Sequence, residues 1–220
     1  MNPQIMKAEG AGQRERMVRL CEYESKYAFL LLAMIVIPLI AEMQVILTFW
    51  LGDVPEHAVM FCRFILIAAL CDQISIGWTS ANQAIGKIRT YNIIFYTLKL
   101  LVIVIAWWSL KQGLPIVSVM WGYVSIELIG SFVRLPLMKH IANVPIIPFF
   151  KNVFLHIVGP LVTMVVICYI SITYIEISYR LIITVSISLV AGALAILGLA
   201  LSKEEKLYIK SIIKQLRKLK

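Results

Sequence analysis

Residues 28–50 read AFLLLAMIVIPLIAEMQVILTFW, a continuous apolar run that contains a single charged side chain, Glu42. A helix that crosses the hydrocarbon core of a bilayer needs about 20 mostly apolar residues. A surface helix of a soluble protein would instead show an apolar stripe on one face only. The run therefore predicts a membrane-spanning helix.

Similar runs follow along the chain, near residues 58–80, 91–110, 114–137, 153–174 and 180–202. They are long and continuous, whereas a transmembrane barrel would show segments of about ten residues with strict alternation. We therefore predict an all-α, polytopic membrane protein, a bundle of about six transmembrane helices.

The predicted organisation has three parts. A cytoplasmic amphipathic segment covers residues 1–27, the transmembrane lobe covers residues 28–202, and a basic tail covers residues 203–220. In the tail, apolar and Lys side chains recur on different faces of a helix, which predicts an amphipathic helix on the inner leaflet. Pro145 and Pro148 predict a helix break between the fourth and fifth spans.

Composition and charge placement support the membrane environment. The 220 residues are 60% hydrophobic and 15% charged, with 21 Lys and Arg against 12 Asp and Glu. These basic side chains flank the apolar runs, as residues that contact anionic headgroups do. We therefore expect membrane lipids as partners and no nucleic acid.

The orientation follows from the positive-inside rule, under which Lys and Arg gather in cytoplasmic connections. With a cytoplasmic amino terminus, the other side would hold only Lys111 and Arg180. The cytoplasmic side would hold the remaining basic residues of the connections: Lys7, Arg14, Arg16, Arg19, Lys26, Lys87, Arg89, Arg134, Lys139, Lys151 and those from Lys203 to Lys220. We predict that both termini lie in the cytoplasm.

Five ionisable residues fall within the predicted spans: Glu42, Arg63, Asp72, Lys99 and Glu127. A charge at the bilayer centre costs ~2.5–3.5 kcal/mol on insertion scales. Such residues must therefore pair with one another or line a water-filled cavity. For Glu42 and Arg63, near the outer ends of their spans, the alternative is that the side chains reach the membrane surface.

The helical spacing of these residues identifies polar faces. Glu127, Ser131 and Arg134 recur at i, i+4 and i+7 on the fourth span, and Lys99 lies in the middle of the third. Asp72 shares a stripe with Ser75 on the second span, whereas Arg63 lies nine residues earlier, near the opposite side of the helix. The candidate residues of a substrate cavity or ion pathway are Arg63, Asp72, Lys99, Glu127 and Arg134. Buried ion pairing between helices is the alternative for Asp72, Lys99 and Glu127.

No pattern indicates catalysis or metal binding. The four cysteines share no CxxC spacing, the three histidines are scattered, and no paired-carboxylate motif occurs. We predict that the chain is not an enzyme and has no catalytic residues, metal site or cofactor. A membrane-embedded enzyme of polyprenyl lipids is the less favoured alternative.

Several strings in the connections resemble a known family: NPQI at 2–5, SKYAFLLL at 25–32, ILTFWLGDVPEHA at 46–58 and ANQAIGKIRTYN at 81–92. They resemble Wzx-type lipid-linked oligosaccharide flippases, the polysaccharide-biosynthesis members of the multidrug/oligosaccharidyl-lipid/polysaccharide exporter superfamily. The resemblance covers nearly the whole chain, but only as the carboxyl-terminal half of such a protein, one lobe of a two-lobe transporter.

The resemblance implies a function in the bacterial inner membrane. It implies translocation of an undecaprenyl-diphosphate-linked oligosaccharide for surface polysaccharides such as O-antigen lipopolysaccharide, with a second six-helix lobe as partner, either a missing amino-terminal half or another protomer. The family's cavity tends to be cationic, which Arg63 and Lys99 fit and Asp72 and Glu127 do not. The alternatives are half of a multidrug or small-metabolite exporter, or an inactive truncated fragment.

Overall fold

The computed structural model describes residues 1–142, 144, 146–175, 177–201 and 205, and its regular elements there are all helical. The helices are α1 (Asn2–Gly10), α2 (Arg14–Ala41), α3 (Met43–Leu51), α4 (Ala58–Gln73), α5 (Ile76–Ile85), α6 (Ile88–Lys111), α7 (Val117–Ala142), α8 (Ile146–Phe149), α9 (Leu155–Tyr174) and α10 (Ile177–Ala195). Two π-helical turns, Phe150–Phe154 and Ile196–Ala200, adjoin α9 and α10. The predicted tail helix over 203–220 lies outside the described residues, apart from Glu205.

Four helical segments of the described chain are long and apolar enough to cross a membrane: Arg14–Ala41, Ile88–Lys111, Ile147–Tyr174 and Arg180–Ala200. The pair α4 and α5, bent by 49°, makes a fifth candidate if the two helices count as one span. The predicted span over 114–137 falls on α7, which has 26 residues but is not among the candidates. Glu127 and Arg134 interrupt its apolar sequence.

Two runs predicted as continuous helices are broken. In the first run α2 ends at Ala41 and α3 begins at Met43. The break, at Glu42, comes four residues after Pro38, which lacks a backbone donor. In the second run α4 ends at Gln73 and α5 begins at Ile76. The amphipathic amino-terminal segment and the first apolar run share α2, which passes through residue 27 without a break.

Helix α2 lies at the centre of the fold and packs against α1, α4, α5, α9 and α10. Phe29, Leu30 and Ala33 on this helix are buried in the main apolar core. Helix α6 lies at the periphery and packs chiefly against α7. Its large apolar side chains, such as Leu100 and Ile103, are more than half exposed. That face must meet lipid or another protein.

A glycine allows α5 to approach α2 closely. The backbone N–H of Gly77 donates to Ser25 Oγ at 3.0 Å. A Cβ atom at Gly77 would overlap the backbone carbonyl of Cys21 on α2. Small residues at helix contacts are a general way of bringing membrane helices together.

Candidate functional site

The candidate site forms where the chain breaks between α4 and α5. The last carbonyls of a helix have no partner within the helix, and such groups must be satisfied inside protein when they lie at membrane depth. Two side chains of α7 supply the donors: Ser131 Oγ donates to the Cys71 carbonyl, and Arg134 Nη1 donates to the Asp72 carbonyl at 2.8 Å. The polar stripe of α7 therefore caps the carboxyl end of α4.

Arg134 and Asp72 form the tightest ion pair of this site. Arg134 Nη2 lies 2.6 Å from Asp72 Oδ1, and Nη1 lies 3.4 Å from Ser75 Oγ. The arginine is 2% exposed. Three contacts on one short segment fix the guanidinium in place, so the pair joins α7 to the α4–α5 break. We assign it a structural role first.

Lys99 lies between two carboxylates. From the middle of α6, its Nζ is 3.0 Å from Glu127 Oε1 on α7 and 3.9 Å from Asp72 Oδ1 on α4. The Lys99 side chain is 34% exposed, whereas that of Glu127 is 6% exposed. Two acids and two bases thus meet across three helices, in a cluster that is formally neutral. Of the four charged side chains in the cluster, that of Lys99 is the most exposed.

Phe95 is a member of the cluster that the sequence pattern did not identify. Both cations lie over its ring. The ring centroid is 4.9 Å from Lys99 Nζ and 4.4 Å from Arg134 Cζ, distances that allow cation–π attraction. Tyr96, the next residue along α6, is by contrast 59% exposed. Phe95 lies four residues before Lys99 on the same helix, and this spacing is the sequence signal that could have identified it as a neighbour of Lys99.

Two buried polar atoms of the cluster lack a hydrogen-bond partner among the described residues: Glu127 Oε2 and Arg134 Nε. A buried acceptor or donor left unpaired costs about 1–3 kcal/mol. Water, a proton on the carboxylate or a polar ligand would each satisfy Glu127. This open carboxylate oxygen is the feature that distinguishes Glu127 from Asp72.

Arg63 does not join this cluster, although the sequence analysis made it a candidate for the same cavity. Its Nε donates to the Ile40 carbonyl at 3.0 Å, and its Nη2 lies 3.5 Å from the Ala41 carbonyl. Both carbonyls belong to the last turn of α2. Arg63 therefore caps a helix end on another side of α4, consistent with its separation from Asp72 on the helical wheel.

Glu42 is buried, so the alternative that its side chain reaches the membrane surface does not hold. The residue is 1% exposed and lies at the break between α2 and α3. Arg180 Nε on α10 donates to its two carboxylate oxygens at 2.9 and 3.1 Å, and Thr184 Oγ1 lies 3.3 Å from the nearer one. Because the partner is distant in sequence, single-helix spacing could not reveal the pair.

No protein-family model matches the chain. The comparisons with curated proteins and with solved structures likewise give no match. Within the described part of the chain, no group of three or more His, Cys, Asp or Glu residues is arranged to hold a metal ion. The side chains of the cluster can exchange ion-pair partners, bind protons and form hydrogen bonds.

Proposed function

We propose that the chain is one lobe of a membrane transporter that moves a lipid-linked oligosaccharide across the bacterial inner membrane. The observation that carries the proposal is Lys99, whose side chain is one-third exposed at the middle of an apolar helix and whose ammonium lies between two carboxylates. Leaving such a charge toward hydrocarbon is costly. An ion pair with an open side suits a polar path through the bundle.

Lys99 is the residue that we assign to the substrate's diphosphate. Arg134 is committed to Asp72 and to the α4–α5 break, whereas Lys99 is an accessible point charge on a flexible stem. A diphosphate arriving at the cluster offers oxygens that compete with Glu127 and Asp72 for the ammonium. Without a bound anion, the charges of the two acids balance those of Lys99 and Arg134.

The exposed face of α6 supports a second lobe as partner. On α6, Lys99 is flanked at i−3 and i+4 by Tyr96 and Ile103, whose side chains are exposed. If lipid alone covered this face, the charges would lie against acyl chains. Another lobe, whether a separate chain or a second copy, would close a water-filled path over them.

Glu127 is the carboxylate that we assign to proton coupling. Protonation of its open oxygen would weaken its hold on Lys99 and free the ammonium for an anion. Asp72 is less suited, because losing its charge would also release Arg134. A gradient-driven cycle is compatible with the sequence, in which no nucleotide-binding motif occurs.

The test is a translocation assay in proteoliposomes that contain the purified full chain at increasing protein-to-lipid ratio. The probe is a short polyprenyl-diphosphate lipid carrying a fluorescent sugar, quenched from outside by a membrane-impermeant reductant. We expect faster exchange than in protein-free vesicles, lowered at least about tenfold by Lys99→Gln. Lys111→Gln, an exposed lysine at the end of the same helix, is the matched control and should leave the rate unchanged.

Two results would overturn the proposal. A rate equal to that of protein-free vesicles at every ratio would remove transport by this chain alone or together with further copies of itself. Transport that Lys99→Gln leaves as fast as the parent would retain a transporter but remove Lys99 from the path.

A further inference from the structure

Arg63 lines a polar pocket at the end of the bundle where α3 ends and α4 begins. The pocket has a volume of about 520 Å³, and its polar lining includes Gln44, Glu56, His57 and Arg63. Glu56 is largely solvent-exposed, and its carboxylate lies 3.5 Å from His57 Nε2. Within the part of the chain that the structure describes, the hydrogen-bond acceptors of Arg63 are backbone carbonyls, and no carboxylate lies within ion-pair distance of it.

An apolar groove of about 370 Å³ lies on the outside of the bundle between α2, α4 and α9. Its lining is almost entirely aliphatic or aromatic and includes Ile37, Ile67, Leu70, Val165 and Tyr169. Val165 and Tyr169 are at least half exposed at its rim. Such a lining is suited to an acyl chain.

The pocket and the groove lie next to each other, on either side of a hydrogen bond between Arg63 and Ile40. The guanidinium lines the pocket and donates to the carbonyl of Ile40, a residue that lines the groove. Along α4, Arg63 in the pocket is followed by Ile67 and Leu70 in the groove, at i+4 and i+7. These positions share one helical face at about one turn per step. The two cavities are therefore adjacent, and we call the pair a track with a cationic end and an apolar body.

We propose that this track binds one anionic phospholipid, with the phosphate on Arg63 and an acyl chain in the groove. A guanidinium has five N–H donors, and the described carbonyls occupy those on Nε and Nη2 of Arg63, which leaves donors for a phosphate. The apolar lining of the groove selects a ligand with an acyl chain, which a free phosphate lacks. The inference needs only that the chain lies in a bilayer and does not rest on the proposed transport function.

The test of the headgroup is native mass spectrometry of the purified full chain, loaded with phosphatidylglycerol or phosphatidylcholine of matched acyl chains. We expect one phosphatidylglycerol molecule to be retained in preference to phosphatidylcholine. Arg63→Gln should lower that preference about five- to tenfold, the loss of one charged contact, while Arg63→Lys keeps part of it. Lys111→Gln should keep all of it. An unchanged preference in Arg63→Gln would overturn the assignment of the phosphate.

The test of the acyl-chain site uses Val165→Trp, a substitution that fills the groove and leaves Arg63 in place. We expect it to lower retention of both lipids, whereas Val162→Trp, an equally exposed position on α9 that does not line the groove, should not. Equal retention in Val165→Trp and the parent would overturn the groove as the chain site. Excess inorganic phosphate should leave the lipid bound. Displacement by phosphate alone would reduce the site to a simple anion site and overturn the lipid assignment.

Discussion

Glu127 contacts Lys99 at 3.0 Å through one carboxylate oxygen and keeps its other oxygen without a partner among the described residues. The second acid of the cluster differs, because Asp72 is held by Arg134 at 2.6 Å and offers its backbone carbonyl to the same side chain. The two carboxylates therefore differ in their surroundings, because Glu127 keeps one buried oxygen without a described partner whereas Asp72 also anchors Arg134.

Replacing Glu127 with Gln should remove coupling to a proton gradient while the fold persists. The amide keeps the shape and its hydrogen-bonding capacity but cannot be protonated at physiological pH. In the vesicle assay, the parent should respond to an imposed pH gradient and Glu127→Gln should not, with thermal unfolding in detergent close to that of the parent. A pH response that survives this substitution would contradict the assignment of Glu127.

Replacing Arg134 with Gln should destabilise the chain strongly. The substitution leaves the partly buried Asp72 carboxylate with Lys99, at 3.9 Å, as its remaining ionic partner, and it removes the cap on the α4 carbonyl. Breaking a fully buried pair from one side costs about 3–5 kcal/mol, and the partial exposure of Asp72 lowers that cost. The measurement is thermal or denaturant unfolding in detergent. Lys139→Gln, an exposed position on the same helix, should change stability little.

A double variant distinguishes the ion pair from general damage to α7. Adding Asp72→Asn to Arg134→Gln removes the carboxylate charge that has lost Arg134, so stability should recover part of the loss. Losses that simply add would show that the two side chains do not act as a pair.

Much of the fold could be predicted from the sequence, because long apolar runs and basic connections have few alternative explanations. The breaks at Glu42 and at Ser75 could not, since each depends on capping or pairing by side chains from distant helices: Arg63 and Arg180 at the first, Arg134 at the second. Helical spacing placed Glu127 and Arg134 on one face of α7. It could not tell which acid each base would meet, because that is set by packing between helices.

Replacing Gly77 with Ala should disturb the contact between α5 and α2. The added methyl group would overlap the backbone carbonyl of Cys21, which cannot move aside as a flexible side chain does. Overpacking of this kind costs about 1–3 kcal/mol or more. The measurement is the unfolding midpoint, compared with Gly10→Ala, a helical position where a methyl group meets nothing within 4 Å. Equal stability of the two variants would contradict the close approach of α5.

The bent pair α4–α5 can be tested as a membrane crossing by thiol labelling. At 1.5 Å per residue, helices of 16 and 10 residues have lengths of about 24 and 15 Å. Even with a 49° bend, they reach across a hydrocarbon core of about 30 Å. A full crossing places Asp53 on the opposite side from Arg89, and α6 then returns the chain so that Gln112 shares the side of Asp53. A re-entrant pair would leave Asp53 and Arg89 on the same side.

The measurement uses single cysteines at these three exposed positions, in a background where the four native free cysteines are alanine. An impermeant maleimide should label Asp53→Cys and Gln112→Cys in right-side-out membrane vesicles, and Arg89→Cys only after the vesicles are opened. Labelling of Arg89→Cys together with Asp53→Cys would mean that α4–α5 turns back within the membrane. Labelling of Arg89→Cys alone would instead show that the orientation is the reverse of the predicted one. The positive-inside rule, which keeps Lys87 and Arg89 in the cytoplasm, would then fail for this chain.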